Sequence, residues 1–375
     1  MKKKINFKLS TTQTIMLSFF LAILVGSVLL ALPISSANGE AVSYIDALFT
    51  ATTSICVTGL VTLPTVSTWS LFGQVVILIL IQIGGLGVIT IMSGFMISLH
   101  RKMGIKDRML IQDAFNLNTL SGIVKFIKKV LVGTFVVEGT GAILYMIVFV
   151  PEYGAKGIWI SIFNSISAFC NAGIDIISEN SLCDYVLNPM VNVVTNILII
   201  LGGIGYIVWW DVIRVIKDMR NKKLKCFSNL TLHSKIALSA TGVLIVVGAV
   251  VFFIFEYNNP LTMKDYSLFD KIQASLFQSV TTRTAGFATI PQQNLTNASA
   301  IVSLLLMFIG GSPVGTAGGI KTVTIAVLIF AAFGTIKNKE DVVLFQRTIP
   351  KQAVSKAVAV VCMSFMIMFI STLLL

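Results

Sequence analysis

Three short stretches of this chain pair small or hydroxyl-bearing residues with a glycine. They are Val57-Thr58-Gly59-Leu60, Asn171-Ala172-Gly173-Ile174 and Thr284-Ala285-Gly286-Phe287. Glycine reaches backbone conformations that aim carbonyls inward and allow close approach. Thr58 and Thr284 add hydroxyls nearby. Carbonyls gathered in this way can replace the water shell of a cation such as K+ at a narrow constriction. The bland reading is that each turn merely ends a short helix. A single turn would leave that reading ahead; three in register favour ion coordination.

Each turn closes a short amphipathic segment, at 44–56, 159–170 and 270–282, too short to cross a bilayer. Each such segment lies between stretches that are long and apolar enough to span. Backbone that enters a membrane and turns back is tolerated only where protein buries it or water reaches it. The segments are therefore expected to be re-entrant. Their C-terminal dipole ends would point into the membrane and favour a cation there.

The composition agrees with a polytopic membrane protein: 55% of the 375 residues are hydrophobic and 12% charged, with a mean hydropathy of +0.90. The net charge of +12 could suggest nucleic acid, but its distribution does not. Lys2, Lys3, Lys4 and Lys8 precede the first span, and further Lys and Arg crowd 101–129, 214–235 and 337–356. The alternate connections hold most of the acids, including Glu40, Asp46, Glu152, Asp175, Glu179, Asp184, Glu256, Asp265 and Asp270. This positive-inside pattern places the N-terminus in the cytoplasm of a multi-pass cell-membrane protein, with anionic membrane lipids as partners of the basic loops. The five cysteines are scattered, and His100 and His233 flank helix ends, so neither a disulfide framework nor a zinc site is expected. No convergent acid, base and nucleophile is present, and an enzyme is discounted.

Spans are expected at 14–32, 69–98, 130–150, 190–210, 236–255 and from 300 to 330, the last interrupted by glycines, with a final apolar stretch at 353–375. A short interfacial helix is expected at 107–117. Internal repetition organises these elements. The glycines Gly59 and Gly173 are 114 residues apart, and Gly173 and Gly286 are 113 apart. Phe49 and Phe163 precede their glycines by ten residues, and Phe277 precedes Gly286 by nine. Gly84-Gly85, Gly202-Gly203 and Gly310-Gly311 follow in the next span of each unit. The first two pairs, with Gly87 and Gly205, are expected to let helices pack closely. The repeats are read as 1–100, 101–215 and 216–335, with 336–375 as the first helix of an incomplete fourth. The same period puts a fourth turn glycine at about residue 400, past Leu375. The expected fold class is all-α, built from helix–re-entrant loop–helix units, three of them complete, in a pseudo-fourfold pore architecture.

At these residues the chain resembles the Trk/Ktr/HKT superfamily of potassium transporters. It looks most like the bacterial KtrB-type membrane subunits, without the last part of the fourth repeat. The resemblance rests on Ser54-Ile55-Cys56-Val57-Thr58-Gly59-Leu60, Asn171-Ala172-Gly173-Ile174, the run from Gln278 to Phe287, and 310–322. It covers essentially the whole chain. It implies four filter segments around one pore, K+ as the transported ion with passive permeation, and Na+ as a possible modulator. It also implies a homodimer and cytoplasmic nucleotide-binding regulator subunits of KtrA type. Gly59 in the first filter position resembles the potassium-selective members. The alternative function is a non-conducting truncated or regulatory assembly fragment of such a transporter.

The resemblance further makes the glycine-rich break in the third repeat a gate loop, comprising Gly310, Gly311, Ser312, Pro313, Gly315, Thr316, Gly318 and Gly319, with Lys321 at its inner end. A packing kink is the competing reading. A phosphate-binding loop is set aside, because the spacing of glycines to Lys321-Thr322 fails. Two charges are expected at depth as filter support. Arg283 is expected to order the third turn by hydrogen bonding rather than by facing the ion, since a cation on the axis would repel K+. Glu138 is a candidate partner for it, or a simple helix–helix polar contact.

Overall fold

The computed structural model describes residues 10–99, 104–115, 121–222, 227–338 and 342–374. Lys2, Lys3, Lys4, Lys8, His100 and Leu117 lie outside them. The chain divides into two compact units, one up to Ser181 and one from Leu182. The division falls inside the expected second repeat.

In the first unit, α1 (Thr11–Leu30) is started by a capping box in which Ser10 and Gln13 satisfy each other's backbone amides. A turn leads into α2 (Tyr44–Cys56), the first re-entrant segment, and a single helical turn, α3 (Thr65–Thr68), follows. The inner helix is two pieces, α4 (Leu71–Leu86) and α5 (Val88–Ser98), bent by 98°. The break is at Gly87, whose φ of 82° no L-residue adopts comfortably. The sequence led us to expect one continuous span at 69–98, because an apolar run gives no sign of where its direction changes. A short helix α6 (Ile105–Ala114) takes the place expected for the interfacial helix. The long α7 (Ile123–Tyr153) then runs antiparallel into α8 (Ala155–Phe169), the second re-entrant segment.

The second unit repeats the plan. Asn188 caps α9 (Pro189–Ile204), with Pro189 at its first position. It too is broken by 98°, at Gly205, before α10 (Tyr206–Lys222). The expectation of one span at 190–210 is corrected in the same way. Then come α11 (Leu232–Glu256), α12 (Leu268–Thr281), which is the third re-entrant segment, α13 (Asn297–Phe308) and α14 (Thr322–Ile336). Thr231, Ser267 and Thr296 accept hydrogen bonds from the first turns of α11, α12 and α13. Strands β1 (Val342–Leu344) and β2 (Arg347–Ile349) form a small antiparallel hairpin, an exception within a helical fold, and α15 (Lys351–Leu374) closes the chain.

Four of these helices, α1, α7, α11 and α15, are long and apolar enough to cross a membrane, and the count reaches six if each bent pair is one span. Their outward faces carry large exposed side chains such as Phe20, Phe135, Val246 and Phe365. In a bilayer these faces meet lipid, which costs nothing in hydrophobic burial.

Candidate ion-coordinating turns and the glycine loop

Each re-entrant helix ends in a turn of the same construction. After α2, Val57 (φ 55°) and Gly59 (φ 76°) adopt left-handed backbone, with Thr58 between them. After α8 the pair is Asn171 (φ 58°) and Gly173 (φ 63°). After α12 it is Thr284 (φ 65°) and Gly286 (φ 92°). A left-handed β-branched residue is rare and strained, so Val57 and Thr284 mark places where the surroundings hold the chain in shape.

The holding group is a hydroxyl one turn back in the helix. Thr53 Oγ1 pairs with Thr58 Oγ1 at 2.5 Å and accepts from the Leu60 amide at 3.1 Å. Ser167 Oγ donates to Ile174 O at 2.5 Å and accepts from the Ile174 amide at 3.1 Å. Thr281 Oγ1 donates to Phe287 O at 2.6 Å. The amides of Thr58, Ala172 and Ala285 return to the carbonyls of Thr53, Ser167 and Thr281 at 3.1, 2.8 and 2.9 Å. These three straps were missed in the sequence. They were signalled there by a hydroxyl six residues before Gly59 and Gly173 and five before Gly286.

With side chain and amides used to close the turn, the carbonyls of Val57, Thr58, Gly59, Ala172, Gly173, Ala285 and Gly286 meet no donor among the described residues. Such carbonyls are the chemical requirement for dehydrating a cation. Exposure differs among the turns. Thr58, Leu60 and Gly286 are exposed, and Gly59 and Thr284 are partly so; Ala172, Gly173, Ile174, Ala285 and Phe287 are buried.

The glycine pairs of the inner helices have specific seats. A Cβ on Gly84 would lie 2.2 Å from Ile55 O at the end of α2, and one on Gly85 would lie 2.6 Å from Cys170 Sγ at the end of α8. In the second unit Gly202 and Gly203 receive backbone rather than a helix face: the Thr316 amide donates to Gly202 O at 3.0 Å, and the Ser312 amide to Gly203 O at 2.8 Å.

Those two bonds anchor the glycine loop, 310–321, which separates α13 from α14. The Tyr206 amide, freed by the break at Gly205, donates to Val314 O at 3.0 Å. The loop folds on itself through Gly311 N–H to Gly318 O and through the Ser312 and Thr322 hydroxyls, 2.9 Å apart. Gly310 and Gly319 approach so closely that a Cβ on either would overlap the other's backbone region. Pro313 sits over Gly205, where a Cβ would fall 2.4 Å from Pro313 O, and a Cβ on Gly315 would fall 2.8 and 2.9 Å from Gly202 O and Gly203 O. Lys321 Nζ donates to Ala317 O at 2.6 Å, so its charge is held against the loop's own backbone.

Arg283 is buried beside the third turn. Its Nη2 donates to Gly310 O at 3.3 Å and lies 3.5 Å from Thr241 Oγ1. No carboxylate among the described residues reaches it. Glu138 is held within its own unit: Gln82 Nε2 donates to its two oxygens at 3.1 and 3.3 Å, and Cys170 Sγ lies 3.9 Å away. Ser165 Oγ donates to Glu138 O at 2.6 Å and so ties α8 to α7. Arg283 is thus bonded to the start of the glycine loop, and Glu138 to α4 and to the end of α8.

Past the second turn, Asp175 is buried, and burial pushes its carboxyl from 3.8 up to about 6, against hydrogen bonds from Ser181 and from the amides of Ile177 and Ser178.

Apolar spans, short helices that end in left-handed turns and broken inner helices define a polytopic, mostly helical membrane class, and comparison with known proteins places it further. The family model described as "TrkH: Cation transport protein" matches residues 1–375, and the chain belongs to that family. It is 41% identical over 358 residues to the potassium/sodium uptake protein NtpJ of Enterococcus hirae, covering 95% of this chain and 77% of that protein. It is 40% identical over 359 residues to Ktr system potassium uptake protein B of Bacillus subtilis, covering 96% and 78%. The crystal structure of the potassium transporter TrkH from Vibrio parahaemolyticus matches with a TM-score of 0.72 at 17% identity, over 100% of this chain and 73% of that one. This last likeness bears on the fold.

Proposed function

We propose that this chain is a pore-forming subunit for potassium uptake, in which K+ moves passively through filter segments made by the three turns. The observation that carries the reading is the strap: Thr53, Ser167 and Thr281 each close a left-handed turn, while the carbonyls of Val57, Thr58, Gly59, Ala172, Gly173, Ala285 and Gly286 meet no protein donor among the described residues. Fixed oxygens of this kind exchange with the ion's water shell at little reorganisation cost. The glycine loop is the gate. It is bonded to the third turn through Thr284 and to the broken inner helix through Gly202 and Gly203, so its position is coupled to both. Arg283 holds the start of that loop and supports the turn without facing the ion. The names of the relatives at 41% and 40% identity, potassium/sodium and potassium uptake proteins, support the ion class. A homodimer working with cytoplasmic nucleotide-binding regulators, and modulation by Na+, belong to the same reading.

The test is rubidium uptake, as a potassium surrogate, in cells stripped of their own uptake systems and limited for potassium. The chain should restore uptake when a matching regulator is supplied. Normal membrane expression without uptake would overturn the proposal.

A further inference from the structure

An apolar cavity of about 270 Å³ lies in the second unit between α11 and α14, floored by the hairpin. Ala240 and Val243 of α11, Ile325 and Ile329 of α14 and Phe345 of the hairpin line it. Its wall is almost wholly apolar, and three of its lining residues, Val243, Ile329 and Phe330, are 60%, 49% and 46% exposed, so it is open to the exterior. Among its walls are Ile309 and Thr322, the residues that bracket the glycine loop. Next to it lies a second, mixed pocket of about 430 Å³, more polar than the first, formed by Phe227, Ser228, Lys235, Phe345 and Gln346. Phe345 is common to both, and its ring packs edge-on against Phe227 at 5.9 Å. Lys235 Nζ donates to Ser228 O at 2.8 Å within this mixed pocket. Ile236, the next residue on α11, lines the apolar one. Arg347 and Lys351 follow in the chain on the same hairpin and helix start.

A hydrocarbon slot that opens outward and adjoins a mixed pocket bearing Lys235 and Gln346 is matched to one kind of molecule. We propose that this pair of pockets binds an anionic phospholipid. One acyl chain enters between α11 and α14, and the phosphate is drawn to Lys235. The apolar slot alone would accept any lipid chain; the cation at its mouth selects for negative charge. A lipid bound here would lie against both ends of the glycine loop.

The test is native mass spectrometry of the full chain purified with equal amounts of phosphatidylglycerol and phosphatidylcholine of the same acyl length. Wild type should retain phosphatidylglycerol at least fivefold over phosphatidylcholine. Lys235→Gln should remove that preference, and Ala240→Phe should displace both lipids by filling the slot. Val136→Phe, on an exposed face of α7 in the other unit, should change nothing. If Ala240→Phe does not fold, Ile329→Trp supplies a fluorophore at the rim, whose added emission brominated phosphatidylglycerol should quench more than brominated phosphatidylcholine. Equal retention of the two lipids by wild type, or an unchanged preference in Lys235→Gln, would overturn the proposal. So would replacement of lipid in the slot by a second copy of the chain, seen as a dimer that Ala240→Phe dissociates. These readouts do not use transport, so they stand or fall apart from the uptake reading.

Discussion

The amide of Gly318 donates to Thr284 Oγ1 at 2.9 Å, so one side chain serves both the third turn and the glycine loop. Thr284 is left-handed in the turn, and Gly318 is exposed in the loop. Movement of the loop must break this bond. A neutral hydrogen bond contributes about 1 kcal/mol net, close to a fivefold change in an equilibrium. Thr284→Ala is expected to raise basal rubidium flux several-fold by releasing the loop, while Thr284→Ser keeps the hydroxyl and stays near wild type. Equal flux in the two variants would mean that the bond does not restrain the loop.

Ser167 is fully buried and serves Ile174 through both its hydroxyl hydrogen and its oxygen. Ser167→Ala leaves the Ile174 amide and carbonyl without those partners, at about 1–3 kcal/mol. We expect a lower melting temperature, together with a fall in K+ over Na+ selectivity in flux assays. Ser167→Thr, which keeps the hydroxyl, separates the two effects: restored selectivity with imperfect stability would locate the function in the strap.

Gly205 combines a φ of 93° with Pro313 O at 2.4 Å from any added Cβ. Both the backbone conformation and the space exclude a side chain. Gly205→Ala is expected to cost at least about 1–3 kcal/mol from backbone strain alone. Because the Tyr206–Val314 bond lies at the same point, the loop should also open to cysteine-directed labelling at an introduced Ser312→Cys, a fully buried position in the intact loop. Unchanged thermal stability and unchanged labelling would contradict the close fit.

Asp175 yields a pH dependence whose sign follows from burial. Its folded-state carboxyl titrates at about 6, against 3.8 when free. Between these values the folded chain keeps a proton that the unfolded chain gives up, so stability falls as pH rises through that window. The full shift corresponds to about 3 kcal/mol. Wild type should therefore lose melting temperature between pH 4 and pH 7 relative to Asp175→Asn, whose side chain cannot ionise. Parallel curves for the two proteins would show that Asp175 is solvated in the folded state.

Much of the architecture was legible in the sequence because its signals are local. The caps at Ser10, Asn188 and Thr231 and the apolar runs they open mark helices by type and position. The repeated glycines marked the three turns through spacing alone. The 98° breaks at Gly87 and Gly205 were hidden, because the residues on either side are apolar in both directions and only the partner backbone reveals the bend. The hairpin was hidden for another reason. Its turn residues, Phe345 and Gln346, have φ of 47° and 63° without the Asn-Gly or Asp-Gly that usually signals such a turn. The surroundings of Arg283 and Glu138 depend on helices far away in sequence. Side-chain type identified both as buried charges that need support. It could not tell that Arg283 would find the Gly310 carbonyl, or that Glu138 would find Gln82 and Cys170.

The straps also differ in length. Thr53 and Ser167 reach the seventh residue ahead, whereas Thr281 reaches the sixth. The three copies are therefore not interchangeable parts. Transplanting the first or second turn onto α12 by aligning glycines would displace the anchoring hydroxyl by about 100° around the helix, away from the carbonyl it must meet. A working exchange must delete one residue between hydroxyl and glycine.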